Sequence, residues 1–363
     1  MRLLVLNTGS SSLKWTVLQG DGALLATGTE SWQSEDAESR GRQLQAVLKK
    51  APAFDCVGHR VVHGGERFKA PVWIDADVRA ALEQLSKLAP EHMALALLGI
   101  DAVTQACPGI PQAAVFDTAF HATMPEAAAG YGLPEEWTRQ HGLRRFGFHG
   151  LSVSYASRRV AELLGAMPTR LVVCHLGSGC SVTAVKDGRS VDTTMGFSPM
   201  EGLMMATRSG SVDPGVLLHL LEEGETVSGL REGLTHRSGL LGVSGVSRDL
   251  RQVRAAAEKG DARAQLAIER FTLSIKRAVG AMVTVLGGID ALVFTGGIGE
   301  HDAAIRAEVT NALAFAGAVI AETQKDADQD RELSGSGSKV RVFVVLARED
   351  QEILAAVLLL QTV

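Results

Sequence analysis

Residues 3–22 read LLVLNTGSSSLKWTVLQGDG and residues 171–188 read LVVCHLGSGCSVTAVKDG. Each is an apolar run of strand length, a Gly/Ser cluster, and a second β-rich run that ends at Asp-Gly. An apolar run bounded by glycines reads as a buried strand, and Asp-Gly supplies the positive φ angles of a tight hairpin turn. The small residues at the first bend (Thr8, Gly9 and Ser10; Leu176, Gly177 and Ser178) let backbone N–H groups approach an anion. A third run, DALVFTGGIGE at 290–300, passes from strand to glycine in the same way. The repeated hairpin predicts a duplicated α/β core that holds a nucleotide between its halves.

Working outward, FDCVGHRVVHGG (54–65) reads as a strand, and 75–106 carries helical spacing broken near Pro90. AAVFDTAFH (113–121) is a strand with a polar end, and RRFGFHGLS (144–152) leads into a helix. Residues 253–286 read as one long helical stretch feeding a strand at Ala291–Phe294. Residues 323–339 read as a surface loop, VRVFVV (340–345) as a strand, and Gln351–Leu360 as the closing helix. Strands alternating with helices imply an α/β protein with mixed sheets. The polar residues of interest lie just past strand carboxyl ends, where such sheets place ligands.

At 363 residues, 46% hydrophobic and 21% charged, the chain has the composition of a globular protein with room for two cores. A net charge of −5 gives no reason to expect nucleic acid or an anionic membrane as partner. The apolar stretch Ala278–Ile289 is too short and too glycine-rich to span a bilayer. With a strand predicted from Leu3 there is no room for a signal peptide, and four cysteines without Cys-x-x-Cys spacing read as buried thiols. The expectation is a cytoplasmic protein.

The chain has no Walker A motif, no dinucleotide fingerprint after its first strand, and no Gly-x-Ser-x-Gly elbow. What remains is a set of polar residues at strand ends: Asn7, Arg60, Asp117, His149, Arg208 and Glu349. Guanidinium groups bind carboxylate and phosphate bidentately, and Asn, Asp and Glu oxygens are the donors that hold Mg²⁺ beside phosphates. Taken singly, Arg60 with His59 reads as a surface pair, Asp117 as a turn cap, and His149 as a packed histidine.

At these residues the chain resembles the acetate kinase (acetate/propionate kinase) family of acid-sugar-kinase/Hsp70/actin-like proteins. The carrying segments are VLNTGSSSLKW, VGHRVVHGGERF, VFDTAFHATMP, RRFGFHG, HLGSGCSVTAVKDGRSVDTTMGFSPMEGLMMATRSG, SGLLGVSG and LVFTGGIGE. The resemblance implies a duplicated actin-like (ribonuclease H-like) core with helix-flanked mixed sheets and a nucleotide cleft. The expected domains are 1–118, with 351–363 packing back on it, and 119–350. It implies reversible transfer of a phosphoryl group between ATP-Mg²⁺ and a short carboxylate, giving ADP and an acyl phosphate, usually in a homodimer.

Residue by residue, the resemblance implies that Asn7 and Glu349 lie on the magnesium side, with Asp350 as the alternative to Glu349. Ser10, Ser12 and Lys14 fall in the first phosphate hairpin, and His175, Leu176, Gly177, Ser178 and Gly179 in the second. Asp249, Leu250 and Arg251, together with Gly297, Ile298, Gly299, Glu300 and His301, match adenosine-binding segments. Arg60, Asp117, His149 and Arg208 match the catalytic set, and Arg60, Val62, His92, Phe148 and Pro199 the acyl site. Departures occur at Ser178, His301, Ser211, Leu151 and Val153. Glu91 stands where an apolar residue of the acyl pocket is usual, which makes a more polar or longer carboxylate an alternative substrate. A nucleotide-binding protein on the same fold, without acyl transfer, is the alternative of a different class.

Overall fold

The computed structural model describes residues 1–9, 12–34, 36–321 and 328–362, with the side chain of Glu91 left aside. The chain divides into two compact units, Met1–Ala122 with Arg348–Val363, and Thr123–Ala347.

The first unit is built on a six-stranded sheet in the order β3-β2-β1-β4-β6-β5, with β1 at Arg2–Thr8, β2 at Ser12–Gln19, β3 at Leu24–Ser31, β4 at Cys56–Val61, β5 at Val72–Trp73 and β6 at Gln112–Phe116. β1, β2 and β3 form an antiparallel meander, and β1, β4 and β6 run parallel. Parallel neighbours share the direction of their carboxyl ends, so Asn7, Arg60 and the residue after Phe116 emerge on one edge of the sheet. Leu4, Leu6, Leu13, Val17 and Val57 pack on one side against Leu44 and Val47 of the helix Ala37–Lys50. Val61, Ala114 and Phe116 pack against Leu82, Met93 and Leu97. Stacking of Phe68 on Phe116, with ring centroids 5.1 Å apart, ties the loop after β4 to the end of β6.

The second unit repeats this plan. Its sheet has the order β11-β12-β10-β7-β8-β9, with β7 at Arg170–Leu176, β8 at Cys180–Lys186, β9 at Arg189–Thr193, β10 at Ala291–Thr295, β11 at Arg331–Glu332 and β12 at Arg341–Val344. Again three antiparallel strands lead into a parallel set, β7, β10 and β12. The β8–β9 turn uses the predicted dipeptide, with φ of 49° at Asp187 and 76° at Gly188.

Two local expectations are corrected, and one strand, β3, was not anticipated. The strand β3 follows Asp21-Gly22 and reads LLATGTES, in which two adjacent leucines followed by small and polar residues give no alternating apolar stripe. The stretch 253–286 is two helices, Leu250–Glu258 and Ala262–Leu286, separated at Gly260. The carboxylate of Asp261 caps the second by accepting from the N–H groups of Arg263 and Ala264. Within 323–339, β11 pairs with β12, while 322–327 lie outside the described residues.

Candidate active site

In the first unit, four polar side chains converge at the carboxyl edge of the sheet. Arg60, on β4, donates from Nε to both oxygens of Asp117, at 3.0 and 3.2 Å, and from Nη2 to Oδ2 at 2.7 Å. Its Nη1 reaches Glu349 Oε2 at 2.7 Å, and Asn7 Nδ2 donates to the same oxygen at 3.4 Å. Asp117 is 2% exposed. Burial alone would lower the Arg60 pKa, but the charges of Asp117 and Glu349 and the hydrogen bonds to Asp117 raise it above its ordinary value.

The backbone explains the convergence. Asp117 follows β6 directly, and its N–H donates to Val61 O at 3.0 Å, which fixes it beside the end of β4. Glu349 is the first residue of the helix Glu349–Gln361, which lies against β4 at Gly58. A Cβ at Gly58 would stand 2.5 Å from Ile353, so a larger residue would push that helix, and Glu349 with it, off the sheet. Between the two alignments, Glu349 is the residue in the cluster; the Asp350 carboxylate accepts from the N–H of Gln351.

Asn7, Thr8, Gly9, Ser12, Lys14, Arg60, Val62 and His92 line a cavity of about 240 Å³. Asn7 and Lys14 are register partners on β1 and β2, and Gly9 N–H donates to Ser12 O at 2.9 Å. His92 lies in the first turn of the helix Pro90–Ala106. Ser10 lies outside the described residues, as does the side chain of Glu91. The pairing of an amide with two carboxylates in one cluster suits Mg²⁺, which takes few protein oxygens and completes its shell with phosphate and water.

The second unit carries a different group. His149 has φ of 60° and precedes the helix Gly150–Leu164. Its Nδ1 shares a hydrogen bond of 3.1 Å with Ser181 Oγ, and its ring lies against His175 with centroids 4.1 Å apart. His175 in turn shares a 2.8 Å bond with Ser152 Oγ. Ser181 and Ser152 are not singled out by the sequence; Ser181 is the register partner of His175 across β7 and β8, a signal that pairing the two hairpin strands would have shown. Gly179 sits beside both candidate groups, where a Cβ would stand 3.2 Å from Arg208 Nη1 and 3.3 Å from His149 Nε2. Arg208 Nη1 also donates to Pro199 O at 3.3 Å.

The second bend is closed by Gly177 N–H to Gly179 O at 3.0 Å, and Ser178 O accepts from Ala206 N–H at 3.2 Å, so the loop and the Arg208 segment are stitched together. Leu176 is buried, and Phe148 is buried among the core residues. Asp249 caps the helix that starts at Leu250 and pairs with exposed Arg251; hydrogen bonds from the Arg251 side chain hold its carboxyl below the usual range. Gly297, Ile298, Gly299, Glu300 and His301 form the short helix Gly296–His301 after β10. Buried Arg306 donates to Gly299 O and Glu300 O at 2.9 and 2.8 Å, which anchors that helix.

The family model described as the acetokinase family matches residues 41–355. An acetate kinase of Nostoc punctiforme is 50% identical over 309 residues, covering 84% of this chain and 76% of its own length. One from a Synechococcus strain is 44% identical over 396 aligned residues, covering 98% of each chain. Among solved structures, Porphyromonas gingivalis acetate kinase matches with a TM-score of 0.90 at 38% identity, covering 99% of each chain. A propionate kinase from Francisella tularensis matches with 0.89 at 36%, covering 98% of each.

Proposed function

The chain belongs to the acetokinase family, and from that membership we propose how its residues carry out the reaction. The protein is an ATP-dependent kinase that phosphorylates acetate or propionate. The observation that carries the residue assignment is the Arg60–Asp117–Glu349–Asn7 cluster at the edge of a phosphate-sized hairpin.

In this reading a carboxylate oxygen of the substrate attacks the γ-phosphorus of ATP, and the bond from that phosphorus to the β–γ bridging oxygen breaks. ADP leaves with the electron pair. The acceptor is already ionised at neutral pH, so no base is needed. The difficulty is bringing one anion to another. Arg60 neutralises acyl and phosphoryl oxygens, with Asp117 and Glu349 holding its guanidinium in one orientation. His149 donates to the phosphoryl group from Nε2, since Ser181 engages Nδ1, and Arg208 supplies a second guanidinium. Ser12 and Lys14, with Gly177 to Gly179, hold phosphates; Val62, His92, Phe148 and Pro199 shape the acyl site. Asp249 to Arg251 and Gly297 to His301 serve the adenosine. Asn7 and Glu349 would hold Mg²⁺, which when bound offsets phosphate charge.

The homodimer is supported by the helices Pro214–Glu222 and Val227–His236. Neither has a buried residue, and Val216, Leu218, Leu221 and Val227 are exposed. A second copy of the chain covering them is the proposed arrangement. No described helix is long and apolar enough to cross a membrane, and reliance on ATP supports a cytoplasmic site of action.

Hydroxamate trapping of the acyl phosphate, with ATP and a panel of short carboxylates, tests the reading. Turnover with acetate or propionate is expected; ADP formation that ignores every carboxylate would refute it.

A further inference from the structure

One buttress in the second unit is absorbed by none of these roles. Tyr131 donates from its hydroxyl to Glu201 Oε2 at 2.6 Å and accepts from the N–H of Phe197 at 2.8 Å. The other oxygen of Glu201 receives Arg145 Nη2 at 2.7 Å. Arg145 Nη1 donates to the carbonyls of Thr193 and Thr194, both at 3.1 Å, and its guanidinium lies 5.5 Å from the centre of the Tyr131 ring. Three side chains thus tie three stretches of backbone: the residues around 131, the segment 144–149, and the segment 193–201.

Both of the latter stretches lead into the catalytic groups. Phe146 and Gly147 donate their N–H groups to Gly196 O at 3.1 and 3.3 Å, and His149 follows two residues on in its left-handed conformation. Pro199, within the segment 193–201, offers the carbonyl that receives Arg208 Nη1. Gly196 is the pinch point, because a Cβ there would stand 1.7 Å from Glu201 Oε2 and 2.2 Å from the Tyr131 hydroxyl. Burial, and then the Glu201 carboxylate, push the Tyr131 pKa up to about 12, so the hydroxyl keeps its proton at working pH.

We propose that Tyr131, Glu201 and Arg145 are positioning residues for phosphoryl transfer, holding the His149 loop and the Pro199 carbonyl that orients Arg208. The proposal rests on the kinase reading above. None of the three needs to touch the nucleotide, so their loss should act on the chemical step and spare nucleotide binding.

The test uses full-length Tyr131→Phe and Glu201→Gln, with steady-state kinetics, thermal unfolding, and calorimetric binding of ADP with aluminium fluoride and acetate. In folded variants kcat should fall roughly 10- to 100-fold, as misplacement of catalytic groups does. The KM for ATP should stay within about twofold, and the transition-state analogue should weaken by about the same factor as kcat. Arg145→Lys, which keeps the charge without the forked donation, should lose less than Arg145→Ala. Unchanged kcat in Tyr131→Phe and Glu201→Gln overturns the proposal, and so does a loss of ATP affinity equal to the loss of kcat. Failure of the wild-type protein to turn over any carboxylate would instead refute the kinase reading itself.

Discussion

Arg60 offers the sharpest test of the site, because replacing it changes charge and geometry separately. Its three nitrogens span Asp117 and Glu349, two of the contacts being 2.7 Å. Arg60→Lys keeps one positive charge but reaches one carboxylate at a time; Arg60→Ala leaves two carboxylates side by side with nothing between them. Loss of one preorganised charge partner in a transition state costs about 10²- to 10³-fold. Arg60→Ala should therefore lower kcat/KM for acetate by at least that, and Arg60→Lys by roughly 10-fold or more, because a point charge cannot replace the fork. Stability should fall as well. Removing one partner of a fully buried pair costs about 3–5 kcal/mol, and the 18% exposure of the Arg60 and Glu349 side chains reduces this to about 2 kcal/mol. That corresponds to a Tm lower by roughly 4–8 °C for a unit of this size. Hydroxamate kinetics and calorimetry on the two variants measure both effects. An Arg60→Lys enzyme with wild-type kcat/KM would refute the argument that the fork, held by two carboxylates, is what the reaction requires.

Gly179→Ala should lower kcat/KM by about 10-fold or more with little change in Tm, since its methyl group would enter the space beside Arg208 Nη1 and His149 Nε2. Wild-type kinetics in that variant would show that the phosphoryl group does not approach there. Burial of His59, 2% exposed, lowers its pKa to about 4, so the unfolded chain binds a proton that the folded chain refuses. The stability that neutral His59 allows is fully present above about pH 6.5 and is lost as pH falls towards 4, by up to about 3 kcal/mol. Urea unfolding at about pH 7.5 and about pH 4.5 should show this loss in the wild type and a smaller one in His59→Gln; equal slopes would refute it. Glu91→Leu should raise kcat/KM for acetate or propionate roughly 5- to 30-fold, if a charge of about 1–2 kcal/mol faces the acyl pocket. An unchanged acceptor profile would mean that the Glu91 carboxylate points elsewhere.

The duplicated hairpin was legible because strand, bend and Asp-Gly turn are local features, each written within twenty residues or so. Asn7, Arg60, Asp117 and His149 stood out as strand-end polar residues, but only the longer segments that match a family marked them as a candidate site; singly, Arg60 read as a surface pair. What local reading missed has a common cause. β3 lacks an apolar stripe because it is an edge strand of the sheet, and Ser181 is placed beside His149 only through its register with His175. The Tyr131–Glu201 hydrogen bond joins residues 70 positions apart. Contacts of that span depend on how loops return to a sheet, and no periodicity encodes the return.

The two sheets repeat one strand order, yet the groups at their edges are of opposite electrostatic kind. The first unit surrounds one arginine with two carboxylates, a cluster that keeps one net negative charge. The second sets histidine and arginine around a glycine, with a serine hydroxyl at hydrogen-bond distance from each imidazole. A hydroxyl beside Nδ1 brings no negative charge next to the ring, whereas a carboxylate there would. The two sheets thus repeat a bend while differing in the side chains beside it, and the proposed roles divide between them accordingly. Placing a carboxylate at position 181 should upset that division. Ser181→Asp should lower kcat by roughly 10-fold or more, because the new charge sits within hydrogen-bond reach of His149 and repels the phosphoryl oxygens. Ser181→Thr, which keeps the hydroxyl, should stay much closer to the wild type. If Ser181→Asp retains wild-type kcat in a folded protein, His149 does not face the transferring group, and the division of labour argued for the two sheets is wrong.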